Sequence, residues 1–142
     1  MRMIGVSLGL FCLLIGAASA QEETLKDLID KGAKRVSKVE LISLVPGSKH
    51  VSRGQTGSYR QWTHYADGTL MGDVKTQFPG TTGKGHGKWS VNDAGQYCVD
   101  IKWGQSGAEK WCRSTFRLGD DYYGVPDSRK TDAKPFKFAL SK

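Results

Sequence analysis

The stretch QYCVDIKW, residues 96–103, decides the fold class because large apolar side chains alternate along it with smaller or polar ones. The apolar positions are Tyr97, Val99, Ile101 and Trp103. The positions between them are Cys98, Asp100 and Lys102. Side chains two residues apart share one face of a β-strand. The stretch therefore predicts a strand with one face in the core and the other toward solvent.

Further strand-like stretches, separated by turn residues, follow the same pattern on both sides of this one. Asp67-Gly68 is a two-residue hairpin signal, whereas the glycine-rich residues 80–87 predict a flexible loop that exploits positive φ angles. No helical pattern separates consecutive strands, so we expect an antiparallel meander that forms a half-barrel or a small barrel. The predicted strands are 58–65, 69–78, 88–91, 110–118, 122–123 and 137–140.

The residues before the first strand carry two short helical patterns. Thr24 is a predicted N-cap ahead of apolar residues at helical spacing, and Gly32 is a predicted end. Ser37 and Glu40 have the spacing of a capping box, and Pro46 ends the second helix. We therefore expect an α+β domain in which two short N-terminal helices, at about residues 24–45, pack on a β-rich part at residues 48–142.

The N-terminal residues 1–20 have the pattern of a secretory signal peptide. Arg2 precedes an apolar run at residues 4–15, and Ala18-Ser19-Ala20 supplies small residues at the cleavage site. We expect cleavage after Ala20 and a periplasmic or secreted product. Since the whole chain has 142 residues, residues 21–142 are expected to form a single globular domain.

Two cysteines remain once Cys12 leaves with the predicted signal peptide. In an oxidising compartment, Cys98 and Cys112 are expected to form one disulfide, with two buried free thiols as the alternative. Placing them opposite each other pairs 100 with 110 and 102 with 108 in neighbouring antiparallel strands. A zinc site is disfavoured because no second closely spaced pair of cysteines or histidines accompanies them. We expect neither a metal nor a cofactor.

Seven short motifs point to a family. They are Gly32-Ala33-Lys34, residues 37–41 (SKVEL), Pro46-Gly47, residues 65–69 (YADGT), residues 87–91 (GKWSV), Tyr97-Cys98-Val99 and Trp111-Cys112-Arg113. Over about residues 25–123 the chain resembles the bacterial family called domain of unknown function 995, small exported proteins found largely in alphaproteobacteria. The resemblance implies a periplasmic or secreted β-rich domain with no agreed activity. Its motifs are structural, so it supplies no catalytic residues.

No catalytic motif is visible in the sequence. Gly80-x4-Gly85 is followed by His86 rather than by the Lys-Ser/Thr of a phosphate-binding loop. The segment GQSG at residues 104–107 has its second glycine one place too early for a nucleophile elbow. Adjacent Asp120 and Asp121 would point to opposite sides of a strand and could not act on one bond. We therefore predict that the protein is not an enzyme.

Two groups of residues are candidate ligand sites. The first group combines aromatic and basic side chains on one predicted strand: Tyr59, Arg60 and Trp62. The second group lies in the glycine-rich stretch, where backbone N–H groups and basic side chains could capture an anion: Lys84, His86 and Lys88. The sequence leaves open whether the many aromatic residues fill the core or form an exposed platform.

The chain is basic, with 21 Lys and Arg against 14 Asp and Glu and a formal net charge of +7. This charge favours a polyanionic partner, or it serves only solubility. Export and the absence of a base-reading helix argue against nucleic acid. No apolar run after the predicted signal approaches the roughly 18 residues of a membrane span.

We expect a monomeric, noncatalytic binding protein of the bacterial envelope. Its ligand would be an anionic glycan, a lipid head group or a partner protein. A lipocalin-like small-molecule carrier is the competing hypothesis and would require an enclosed apolar cavity. A hydrolase of envelope material is the third hypothesis, and it would require convergent carboxylates in a cleft.

Overall fold

A computed structural model describes residues 22–54, 57–77, 80 and 82–142. The predicted signal peptide at residues 1–20 lies outside the described residues, as do Phe78 and Thr81 of the predicted strand and loop. The described part contains two α-helices, α1 (Leu25–Asp30) and α2 (Lys38–Leu44). Its strands are β1 (Lys34–Arg35), β2 (Lys49–Arg53), β3 (Tyr59–His64), β4 (Thr69–Lys75), β5 (Thr82–Val91), β6 (Tyr97–Lys102), β7 (Ala108–Leu118), β8 (Asp121–Val125) and β9 (Phe136–Ser141).

The strands β2 to β9 form a closed, eight-stranded antiparallel barrel, and β1 is an additional short strand beside β7. Each strand from β2 to β8 pairs with the next one along the chain, and β9 returns to pair with β2. The predicted α+β class is therefore wrong: the described chain is mostly β. The helices have only six and seven residues. They pack against the outside or the end of a sheet that encloses its own core.

Both helices begin where capping chemistry predicted. Thr24 Oγ1 accepts from the backbone N–H of Asp27 at 3.3 Å, and Ser37 Oγ accepts from the backbone N–H of Glu40 at 3.2 Å. The two predicted N-caps are confirmed. Neither described helix has the length and apolar character needed to cross a membrane.

The two helices cover different parts of the barrel. Leu41 of α2 and Val45 at its C-cap are fully buried in the cluster that fills the barrel interior. Leu25 and Leu28 of α1 instead pack in a second cluster with Phe116 and other residues of β7 and β8. The helix α2 therefore closes one end of the barrel, and α1 covers part of its wall.

The predicted flexible loop at residues 80–87 is wrong because β5 starts at Thr82 and runs for ten residues. A Cβ atom at Gly85 would lie 2.4 Å from the Trp103 ring, and one at Gly87 would lie 1.9 Å from the carbonyl oxygen of Asp100. Neither glycine has a positive φ. Glycine is required here for close approach to β6 and to the Trp103 ring, not for a turn.

The predicted disulfide is confirmed, together with its register. Cys98 and Cys112 lie directly opposite each other on β6 and β7, and their sulfurs are bonded. Asp100 lies opposite Lys110, and the two form an exposed ion pair at 3.8 Å. The bridge joins neighbouring strands on the outer face, so its chemistry is separate from the barrel interior.

Replacing both cysteines with alanine is expected to lower the free energy of unfolding by about 3 kcal/mol, because a loop of this length is no longer closed in the unfolded chain. Urea denaturation with and without a reductant measures the effect. The reductant should destabilise the wild-type chain by a similar amount and leave the double variant unchanged. An equal denaturation midpoint in all four samples would contradict the expectation.

Candidate functional site

The barrel opens into a cleft at the end away from α2, and we call this cleft the mouth pocket. Phe136, at the start of β9, lines it. At the other end of the same strand, Lys142 donates to the carbonyl oxygen of Ser43 in α2 at 3.4 Å. Because a strand rises about 3.3 Å per residue, the mouth pocket and α2 lie at opposite ends of the barrel. The pocket has a volume of about 340 Å³.

The floor of the mouth pocket is a stack of three rings. The His50 ring lies between Trp62, at a centroid distance of 3.9 Å, and Phe138, at 4.7 Å, and is within 11° of parallel to each. His50 is 2% exposed, and burial, assisted by repulsion from a protonated His64 and from Arg113, lowers its pKa well below the usual range. The ring is therefore neutral at pH 7. Its Nδ1 has no hydrogen-bond partner among the described residues.

A buried hydrogen-bond network holds this floor from below. Trp62 Nε1 donates to the Tyr97 hydroxyl at 3.0 Å, and that hydroxyl donates to His64 Nε2 at 2.5 Å. His64 Nδ1 then donates to the carbonyl oxygen of Ser48 at 2.8 Å. Burial lowers the pKa of His64 to about 4 and raises that of Tyr97. Both groups are therefore neutral at pH 7, and their polar atoms are used within the network.

One wall of the pocket carries a paired carboxylate. Glu109 Oε1 accepts from Arg60 Nη1 at 2.7 Å, and Glu109 Oε2 accepts from Trp103 Nε1 at 2.7 Å. Trp111 Nε1 lies 3.4 Å from the same carboxylate. This contact joins β3 to β7 across the barrel and fixes the position of Arg60. The charge of Glu109 is already compensated by its own donors.

Another wall carries an arginine without a carboxylate partner. The guanidinium carbon of Arg113 lies 3.9 Å from the Trp111 ring centroid and 4.0 Å from that of Phe136. Gly124 allows this placement, since a Cβ there would lie 3.0 Å from Arg113 Cδ. Burial lowers the pKa of Arg113 to about 10; Glu109 opposes the lowering and Arg60 adds to it. Arg113 is thus charged at pH 7, and it makes no hydrogen bond or ion pair with any described residue.

The charges around the mouth pocket do not balance. Arg53, Arg60, Arg113 and Lys137 line it, against Glu109 as the one carboxylate among its described lining residues. Lys137 has an outside partner, Asp121 at 3.3 Å. The pocket therefore keeps an excess of positive charge next to aromatic rings, which is an arrangement that favours an anion.

The structure separates the residues of the first predicted ligand site. Arg60 and Trp62 both point into the barrel and line the mouth pocket. Tyr59 lies on the opposite face of β3, where its hydroxyl is 3.4 Å from Gln61 Oε1. Alternation along a strand requires this separation.

The residues of the second predicted site all lie on the outer face of β5. Lys84, His86 and Lys88 are exposed there, and Lys84 is paired with Asp73 at 2.6 Å. These residues were expected to form an anion-binding nest in a loop. They lie instead on an extended strand, whose backbone N–H groups pair with neighbouring strands, so the predicted nest is not formed. They do not contact Arg60 or Trp62.

Sequence reasoning missed Arg113, Glu109 and His50 as site residues. One signal was present, because Glu109, Trp111 and Arg113 are two residues apart and share one face of β7. A strand face that alternates charged and aromatic side chains differs from an ordinary core face. Nothing in the sequence places His50, on β2, beside Trp62.

Among the described residues, no group of three or more His, Cys, Asp or Glu side chains is positioned to hold a metal ion. Comparison with family models, with curated proteins and with solved structures finds no match to this chain. The resemblance to the family called domain of unknown function 995 therefore stays a prediction.

Proposed function

We propose that this is an exported, noncatalytic binding protein that holds a small organic anion in the mouth pocket. The observation that carries the proposal is Arg113, a half-buried guanidinium that contacts two aromatic rings and forms no ion pair with a described carboxylate. The shared chemistry of the ligand is a carboxylate or phosphate group. An acidic envelope glycan or a lipid head group could supply that group.

The placement of Arg113 favours an anion for a physical reason. A charged group removed from water loses solvation free energy, which stacking on aromatic rings restores only in part. The Trp111 and Phe136 ring centroids both lie within 4.0 Å of the guanidinium carbon. The N–H groups in its plane can still donate two parallel hydrogen bonds to a carboxylate or phosphate. A bound anion would therefore supply the missing ion-pair partner of the Arg113 guanidinium, which the fold already holds in position.

Pocket size and chemistry support a site for a small anion over a lipocalin-like carrier of an apolar molecule and over a hydrolase. Aromatic side chains and α2 fill the barrel below the floor, so about 340 Å³ remains at the mouth, near the lower end for small-molecule sites. A long apolar ligand of the lipocalin kind would need more space. Glu109 is held by Arg60 and Trp103, which argues against a role as a free acid or base.

The binding test compares Arg113→Gln with Lys102→Gln, an exposed residue on the outer face of β6. Calorimetric titration with glycerol 3-phosphate and with glucuronate, using glycerol and glucose as uncharged probes, measures the affinity. We expect the anions to bind, the uncharged probes not to bind, and Arg113→Gln to weaken binding by about 10- to 100-fold. Lys102→Gln should bind as the wild type does. Failure of both anions to bind, or equal weakening by the two substitutions, would refute the proposal.

A further inference from the structure

Two large apolar side chains protrude from α2 at the closed end of the barrel. Val39 is 78% exposed and Ile42 is 52% exposed. Residues three apart are neighbours on a helix surface, so the two side chains form one apolar ridge. The same helix buries Leu41 in the barrel interior. The ridge therefore lies on the outer side of α2, whose inner side is held against the barrel by Leu41.

Cations lie along the Val39 side of this ridge. An open groove of about 780 Å³ runs along α2, and its basic lining residues are Lys34, Arg35, Arg117 and Lys142. Lys34 has no ion pair among the described residues, and Arg117 lies 4.0 Å from its nearest carboxylate, that of Asp120. We call the surface formed by Lys34, Val39, Ile42, Arg117 and Lys142 the α2 face.

Glu40 is the one carboxylate among the described lining residues of this groove. Glu40 Oε2 accepts from the backbone N–H of Ser37 at 3.0 Å as part of the capping box. Among the described residues, Lys142 Nζ donates one hydrogen bond, to the carbonyl oxygen of Ser43 at 3.4 Å, and has no carboxylate partner. The α2 face thus combines protruding apolar side chains with an excess of positive charge.

We propose that the α2 face docks the protein on the surface of a membrane that contains anionic phospholipid. Protruding apolar side chains enter the boundary between head groups and acyl chains, and flanking cations lie against anionic head groups. Each Lys or Arg near such a surface contributes about 1 kcal/mol. The protein is held at the surface and does not cross the bilayer.

Charge and shape favour a lipid surface over two other occupants. A second copy of this chain, related by two-fold symmetry, would bring the cations of both copies together. An acidic protein would need a pocket shaped for the ridge of Val39 and Ile42, whereas a fluid lipid surface adapts to it. Docking through the α2 face also turns the mouth pocket, at the opposite end of the barrel, away from the bilayer. The inference does not depend on which ligand that pocket binds.

The test is flotation with vesicles of phosphatidylglycerol and phosphatidylcholine in equal parts, compared with vesicles of phosphatidylcholine alone. We expect binding to the anionic vesicles only, weakening as salt is raised. Lys34→Gln/Lys142→Gln should reduce the partition coefficient by about 30-fold, and Val39→Ser/Ile42→Ser should also reduce it. All variants are compared in the same N-terminal background, so residues 1–20 contribute equally to each.

Matched substitutions elsewhere distinguish the α2 face from general attraction of a basic protein. Lys75→Gln/Lys102→Gln removes the same charge from exposed positions on β4 and β6, and Met71→Ser removes an apolar side chain that is 59% exposed. Both should bind the anionic vesicles as the wild type does. Equal losses in the control variants would overturn the proposal, as would no binding to the anionic vesicles. A dimer in solution that Val39→Ser/Ile42→Ser abolishes would overturn it in favour of a second copy.

Discussion

Lowering the pH from 6.5 to 4 is expected to destabilise the fold, with His64 alone contributing about 3 kcal/mol. Burial lowers the pKa of His64 from 6.5 to about 4, and that of His50 is lowered as well. Between these pH values the unfolded chain binds protons that the folded chain does not, so the free energy of unfolding falls as the pH falls. Above pH 6.5 both states carry neutral histidines, and this contribution to the pH dependence disappears.

Urea denaturation at a series of pH values between 7 and 4 measures this effect. His64→Gln should flatten the dependence, whereas His86→Asn, at an exposed position on β5, should leave it unchanged. An NMR titration of the His64 ring tests the same expectation in the folded wild-type chain. Asp127 contributes mainly below this window, because hydrogen bonds from Arg129 lower its pKa to about 2. A constant free energy of unfolding between pH 6.5 and 4.5 would show that the buried rings do not control acid stability.

Gly87→Ala is expected to lower the free energy of unfolding by at least about 4 kcal/mol, a loss that only a severe steric conflict produces. The added Cβ would lie 1.9 Å from the carbonyl oxygen of Asp100 and 2.7 Å from the Cα of Ile101. Both atoms belong to the backbone of β6, so no side-chain rotation can relieve the overlap. The two strands would have to separate where Gly87 lies opposite Ile101, within their hydrogen-bonded pairing.

Urea denaturation measures the loss, and Gly119→Asn is the matched control. Gly119 has a φ of +61°, and a Cβ at this position would have no atom within 4 Å. Asparagine tolerates this backbone conformation, so the control should cost less than about 1 kcal/mol. If Gly87→Ala folds with the stability of the control, the close approach of β5 to β6 is not a requirement of the fold.

Local signals in the sequence predicted the elements that depend on near neighbours. The N-caps Thr24 and Ser37 satisfy backbone N–H groups three residues away, so their chemistry is visible in a short window. The register of Cys98 with Cys112 follows from one turn and strict alternation on both sides of it. These features are confirmed because each is determined within about 15 residues.

Closure of the barrel could not be predicted in the same way. It depends on β9 pairing with β2, where Leu140 lies opposite His50, and no local pattern encodes a contact between the two ends of a sheet. The glycines of β5 predicted a loop wrongly for a related reason. Glycine is required at these positions by the close approach of the β6 backbone and the Trp103 ring, which depends on how the strands pack. Within their own stretch these glycines are indistinguishable from loop glycines.

The candidate site was predicted only in part. Arg60 and Trp62 were singled out for their chemistry, and both line the mouth pocket. Arg113 and Glu109 join them only because the closed barrel brings β3 and β7 together, so that Arg60 meets a carboxylate 49 residues away. The spacing of residues along the chain does not reveal a binding site that is assembled across a barrel. The types of residue that build the site can still be recognised in the sequence.

Closure of the barrel also affects how the chain behaves at high local concentration. The strands that would otherwise border an open sheet bond to each other, so they offer no row of free amide and carbonyl groups on which another polypeptide could align. The short β1, only two residues long, is too brief to serve as such a template. We therefore expect fibrillation to require prior opening of the β2–β9 or β7–β8 seam, and conditions that loosen either seam to accelerate it.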